Sequence, residues 1–145
     1  GLMMTAAGVK VIEYNSRFGD PEAQAVLPLL KTHLVDIVEA CIDGTLDKIN
    51  IEWLDKTGFT VVVASGGYPE NVIKGYPITI GRLDGVTLYH AGTAVKDGRL
   101  VTNGGRVFDV TAVAGDIAEA REKAYGQIDK IQFEGARYRT DIGKA

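Results

Sequence analysis

From Phe59 onward the chain is cut every few residues by a glycine-bearing turn, and that spacing leaves room only for short strands. The turns are Ser65-Gly66-Gly67-Tyr68-Pro69, Leu83-Asp84-Gly85, Lys96-Asp97-Gly98 and Asn103-Gly104-Gly105, the last two with strong hairpin chemistry. Between them the sequence predicts strands over residues 59–64, 76–80, 87–90, 93–96, 100–102 and 106–114. The first is almost continuously apolar, as expected of a strand covered on both faces. Gly115-Asp116-Ile117-Ala118-Glu119 reads as a capping-box start to a helix with Ile117, Ala120, Ala124 and Ile128 on one stripe. This half is expected to be a small antiparallel sheet or barrel covered by one helix. An apolar segment at 131–133 and a polar tail at 134–145 close it.

Ahead of the polar turn Asp55-Lys56-Thr57-Gly58 the patterning is different. Runs at 2–5 and 9–15 flank Ala6-Ala7-Gly8 and predict a hairpin. A helix is expected over 21–31, with Asp20 as its cap, Pro21 at the first position and a break at Pro28. The helix after it is expected to be capped by Thr32 and ended by Gly44. Leu34, Ile37, Val38, Cys41 and Ile42 form its apolar stripe, predicted to meet a core. A turn of helix at 46–49 and an extended piece at 51–54 follow. The fold class read from these patterns is α+β, in two units, 1–55 and 56–145.

With 46% hydrophobic and 24% charged residues and a net charge of -3, the composition is that of a globular chain with no basic stripe. Neither nucleic acid nor a membrane is an expected partner, and the expected location is the cytoplasm. Cys41, the single cysteine, excludes an intrachain disulfide and reads as core. The chain opens on an already strand-like Gly1-Leu2-Met3-Met4-Thr5, which points to a fragment of something longer.

Chemistry concentrates in Val11-Ile12-Glu13-Tyr14-Asn15-Ser16-Arg17-Phe18-Gly19-Asp20-Pro21-Glu22. In an extended segment Glu13, Asn15 and Arg17 project to one side. A carboxylate and an amide oxygen suit a hard divalent cation that takes its other ligands from phosphates and water. A guanidinium beside them suits the anion such a metal brings in. A strand's solvated face shows the same alternation and is the commoner case. The helix start after Asp20 is expected to offer a second place for an anion. His90 and His33 lack acidic or cysteine neighbours and are expected to be structural.

Several segments together resemble one family. Glu13-x-Asn15-x-Arg17-Phe18-Gly19-Asp20-Pro21-Glu22 is similar to the signature near the end of the ATP-grasp domain in phosphoribosylamine-glycine ligases, also called glycinamide ribonucleotide synthetases. Ala64-Ser65-Gly66-Gly67-Tyr68-Pro69, Lys74-Gly75, His90-Ala91-Gly92-Thr93 and Gly104-Gly105-Arg106-Val107 agree in order. So do Ala120-Arg121-Glu122-Lys123-Ala124-Tyr125, Phe133-Glu134-Gly135, Tyr138-Arg139 and Asp141-Ile142-Gly143. The triplet alone would fit ATP-grasp carboxylate-amine ligases generally, whereas the series of segments singles out one family.

The resemblance implies the C-terminal part of an ATP-grasp domain followed by a small β-rich, barrel-like domain. It implies an ATP-dependent, Mg2+- or Mn2+-dependent ligation of glycine to 5-phosphoribosylamine in purine biosynthesis, through an acyl phosphate. Glu13 and Asn15 match the metal ligands, and Arg17 matches the arginine at the transferring phosphoryl group or substrate carboxylate. Gly19 and Asp20 match the substrate loop, where Asp20 would face glycine's ammonium. The N-terminal domain, the glycine-rich lid and the ATP-gripping lysines would precede this stretch. The expected partner is therefore the missing N-terminal portion of the same ligase, without which the chain is expected to be inactive. The competing expectation is a non-catalytic structural or assembly module that keeps the triplet as an inert remnant.

Overall fold

The computed structural model describes residues 1–144, so Ala145, the end of the expected tail, lies outside the described residues. The chain folds into a small mixed α/β structure with several antiparallel sheets. β1 (Leu2–Thr5) and β2 (Gly8–Val11) form the expected hairpin, with Leu2 opposite Val11 and Thr5 opposite Gly8. The second strand ends at Val11, four residues short of the expectation, and only single hydrogen bonds between Gly1 and Ile12 or Glu13 continue past it. Glu13, Asn15 and Arg17 consequently lie beyond the ladder rather than on a strand.

α1 (Glu22–Val26) is short and passes into a single 3-10 turn, Leu27–Leu29, where Pro28 breaks the α pattern as expected. Asp20 does not cap α1: no side chain caps it, and Pro21 occupies the capping position. A five-residue helix with that start is not an anion site. α2 (Leu34–Ile42) ends as expected before Gly44, whose φ is 65°. Its expected cap Thr32 is used elsewhere: Oγ1 accepts from the Glu52 amide at 2.7 Å and ties the helix entrance to the strand-like segment behind it. The expectation of a core under α2 fails. Ala40 is its one buried residue, while Val38, Cys41 and Ile42 are exposed, and among the described residues its main neighbour is the short 3-10 turn Leu46–Lys48.

β3 (Thr57–Ala64) pairs with β8 (Arg106–Ala114) along its length, and β8 pairs on its other side with β5 (Thr87–His90). Val61 faces Val110 and Val63 faces Phe108 across this three-stranded sheet, all of them fully buried. With α3 (Ile117–Ile128) supplying Ala120, Ala124 and Ile128, they form the core. Burying each large apolar side chain contributes roughly 1.5 to 3 kcal/mol, so most of the stability resides here. The capping box is present with one variation. Asp116 Oδ1 accepts from the Glu119 amide at 2.9 Å, while the Glu119 carboxylate accepts from Gly115 rather than from Asp116.

The opposite face of β3 and β8 lies under α1. A side chain at Gly58 would run into the Ala25 carbonyl, so the helix backbone rests directly on the strand. β3 is deeply buried only on the α3 side, its other face being half-buried.

Two further pairs complete the fold: β4 (Thr79–Ile80) with β9 (Ile131–Gln132), and β6 (Thr93–Lys96) with β7 (Arg99–Thr102). Asp97 and Gly98 take φ of 51° and 74° in the two-residue turn between β6 and β7, as its sequence predicted. No closed barrel forms among the described residues. The strands divide into one three-stranded and three two-stranded sheets, each too small to curl onto itself. The expected tail is strapped down rather than free. Arg121 donates to the carbonyls of Ile142 and Thr140, and Tyr125 donates to that of Arg139 at 2.6 Å. Among the described residues no helix is long and apolar enough to cross a membrane.

Candidate functional site

The segment from Ile12 to Gly19 has no regular partner, yet it is held at both ends. The Gly1 ammonium donates to the Glu13 carbonyl at 2.9 Å, and the Gly19 amide donates to the Glu22 carboxylate at 3.1 Å. Between these anchors Glu13, Asn15 and Arg17 line one open cleft of about 570 Å³, together with Tyr14, Ser16, Phe18 and Glu22. The Asn15 amide donates to Glu13 Oε1 at 3.0 Å. Among the described residues no hydrogen bond reaches Glu13 Oε2 or the Asn15 amide oxygen. The Arg17 guanidinium donates to the Phe18 carbonyl at 2.9 Å, folding back along its own loop. A carboxylate, an amide oxygen and a guanidinium thus meet at one cleft, but through an irregular loop whose consecutive residues from Glu13 to Phe18 all line it and not through the expected strand alternation.

Gly19 and Asp20 go elsewhere. They line a second cleft of about 410 Å³ with Phe18, Gln24, Tyr89 and His90, so Phe18 is the wall between the two. Asp20 is bound into a polar cluster. Its carboxylate pairs with the Arg106 guanidinium at 2.9 Å and accepts from the Gln24 amide at 2.6 Å. Arg106 also donates to its backbone carbonyl at 3.1 Å. The same Gln24 nitrogen donates to Asp109 at 3.0 Å.

Asp109 is 1% exposed, in the middle of β8, and one of its carboxylate oxygens has no partner; neither does the side-chain oxygen of Gln24. Burial pushes the Asp109 carboxyl up from the usual carboxylate range, and the nearby Asp20 carboxylate adds to that, against the opposing Gln24 amide and Arg106 guanidinium. Gln24, Arg106 and Asp109 were missed as members of the site. The available signal was Asp109 itself, a lone acid inside Val107-Phe108-Asp109-Val110, where an unpaired charge is costly. His90, which lines the second cleft, has Nδ1 at 3.0 Å from the Thr93 hydroxyl and its ring edge on Phe108.

Glu13 and Asn15 supply two oxygen donors in an open setting, which fits a divalent cation that draws its other ligands from a phosphate-bearing substrate and water. No group of three or more histidine, cysteine or acidic side chains forms a closed metal site among the described residues.

The profile of the family described as "Phosphoribosylglycinamide synthetase, C domain" matches residues 58–145. The chain belongs to that family. Relatives extend the likeness of this synthetase C-domain chain through its first 57 residues. It is 51% identical over 143 residues to a phosphoribosylamine–glycine ligase of Caldanaerobacter subterraneus subsp. tengcongensis, across 98% of the chain and 34% of that protein. It is 48% identical to the bovine trifunctional purine biosynthetic protein adenosine-3, across 99% of the chain and 15% of that protein. The crystal structure of a phosphoribosylamine–glycine ligase from Thermotoga maritima superposes with a TM-score of 0.82 at 38% identity, across 97% of the chain and 35% of that structure. This family member therefore spans about a third of the single-function ligases it matches.

Proposed function

We propose that this chain is the C-terminal part of an ATP-dependent ligase that joins glycine to 5-phosphoribosylamine, giving glycinamide ribonucleotide in cytoplasmic purine biosynthesis. The supporting observation is the shared cleft of Glu13, Asn15 and Arg17 in a chain aligned almost end to end with phosphoribosylamine–glycine ligases. In this reading residues 1–55 are the closing piece of an ATP-grasp domain, and 56–145 form a separate C-terminal domain. The start of the family match at residue 58 supports that division, as does a core of buried hydrophobic residues lying past that point except for Ala40.

The reaction forms a glycyl acyl phosphate by transfer of the ATP γ-phosphoryl group to glycine's carboxylate; the amine of phosphoribosylamine then displaces phosphate. A bound Mg2+ or Mn2+ would neutralise charge on the phosphate oxygens. Glu13 and Asn15 would hold that metal, supplying a carboxylate and an amide oxygen. Arg17, released from the Phe18 carbonyl, stabilises the charge that develops on the transferring group. Gly19 and Asp20 shape the glycine end, with Asp20 held by Arg106 and Gln24 so that its carboxylate faces the ammonium at a fixed angle. Alone, the chain does not turn over. Aligning the reactants is worth on the order of 7 to 11 kcal/mol, and one half of a site cannot supply it.

The test is a chimaera in which this chain replaces the matching third of the Caldanaerobacter ligase. It should form ADP only when glycine and phosphoribosylamine are both present. Glu13→Gln combined with Asn15→Ala should lower its kcat by roughly 10²- to 10³-fold, and Arg17→Ala by a similar factor. A chimaera that melts cooperatively yet shows no glycine-dependent ATP turnover would sink the proposal.

A further inference from the structure

The end of β3 carries a second polar site that neither cleft of the metal loop includes. Ala64 pairs with Arg106 of β8 on one side and bridges to Arg137 on the other. Directly opposed residues of antiparallel strands share a face, so a methyl group stands between two arginine stems. The two long side chains wall the gap that the short one leaves. Extended backbone puts Arg139 on the same side as Arg137. Val62, Ala64, Arg106, Arg137 and Arg139, with the rings of Tyr68 and Tyr138, line a pocket of about 550 Å³, a volume suited to a small organic ligand.

The floor is rigid. Ser65, 1% exposed, donates through its hydroxyl to the Gly104 carbonyl at 2.9 Å and through its amide to that of Gly105 at 2.8 Å. The Tyr68 ring lies so close over Gly105 that a side chain there would strike it. Tyr138 is tied by its hydroxyl to Asp129 at 3.3 Å.

The charges are unevenly committed. Arg106 pairs with Asp20. Arg139 forms a two-pronged pair with Asp141, whose carboxyl it holds down to about 2. Arg137 makes no ion pair and donates no side-chain hydrogen bond among the described residues. One uncommitted guanidinium flanked by two more, over apolar and aromatic walls, matches an anion attached to an organic body. Guanidinium forks match phosphate oxygens in pairs.

We propose that this pocket binds the phosphate group of a sugar monophosphate, with Arg137 as its principal cation and Ala64 as the residue that makes room. Resting on the ligase reading, the ligand is the phosphorylated amine substrate. Arg106 then joins the two ends of the site, one face on the phosphate and the other on the Asp20 loop.

The probe is ribose 5-phosphate, titrated into the full chain and followed by amide NMR, with ribose and inorganic phosphate as controls. Saturable shifts at Ala64, Ser65, Arg137 and Tyr138 are expected with ribose 5-phosphate and not with ribose, and weaker ones with inorganic phosphate. Arg137→Ala should weaken binding at least tenfold, with part of it kept in Arg137→Lys. Ala64→Leu should abolish binding while leaving every charge in place. Absence of saturable shifts, binding unchanged in Arg137→Ala, or inorganic phosphate binding as tightly as the sugar phosphate would each overturn the proposal. Because binding is read without turnover, an active chimaera whose pocket ignores ribose 5-phosphate sinks the pocket alone. A pocket that binds within an inactive chimaera sinks the ligase reading alone.

Discussion

Asp109 shows how one residue joins the core to the site. Its carboxylate is buried on a strand otherwise made of apolar residues and meets the molecule's polar cluster through Gln24. Burial raises its folded-state pKa above the unfolded value of about 3.9, so the folded chain binds the extra proton between those two values. Stability from this group is therefore fully present below the unfolded pKa and is lost as pH rises through the folded one. Asp109→Asn has nothing to ionise there. In urea unfolding, its stability relative to the parent should grow as pH is raised from about 4 and level off above the folded pKa. Parallel pH profiles for the two proteins would show that the carboxyl carries no such penalty. The sequence drew attention to Glu13, Asn15 and Arg17 through residue type and through resemblance to one family, whereas two-residue spacing on its own fits a solvated strand face equally well. It left Asp20 misassigned as a helix cap, because its real partners, Arg106 and Gln24, are set by tertiary folding.

Local chemistry decided which elements could be read in advance. The Asp97-Gly98 turn, the Gly44 stop, the Pro28 break and the Asp116 cap each depend on residues within a few positions of one another, and each is present. Thr32 and Cys41 went the other way, since a threonine before a helix and a cysteine on an apolar stripe take their roles from what lies across from them. The same distinction applies to β1 and β2, a correctly read hairpin in which every residue is exposed. A two-stranded ribbon with no covered face adds little to stability. A chain lacking residues 1–11 should accordingly melt within about 2 °C of the parent, well under the 4 to 8 °C that 1 kcal/mol is worth in a small domain. A larger drop would mean the hairpin is covered in solution.

Across the whole molecule, order and burial are divided unequally. Past Thr57 a sheet and a helix enclose a continuous core, while the first third leaves Leu2, Met4, Ile12, Phe18, Ile42 and Trp53 at least half exposed. Under the proposed ligase reading, that third is a surface for the rest of the enzyme to cover, which would account for a helical stripe on α2 with no core beneath it. A dye that fluoresces on apolar surface should bind the free chain strongly, and its signal per mole should fall when the chain is grafted into the Caldanaerobacter ligase. An undiminished signal would show that the graft leaves the surface bare. The barrel expectation failed at this same scale: six of the seven strands from Thr57 on match the expected runs and the turn spacing holds, but closure depends on pairings that no local pattern encodes.

Gly58 links these scales. Its missing side chain lets the Ala25 carbonyl lie flat on β3, and α1 carries Gln24 and is preceded by Asp20. The position works as a shim of minimum thickness. If the two proposed sites serve one substrate, the distance between the loop over residues 13–17 and the arginine pocket would answer at this point to the radius of a backbone atom, and a substrate reaching from one to the other would be measured against that gap.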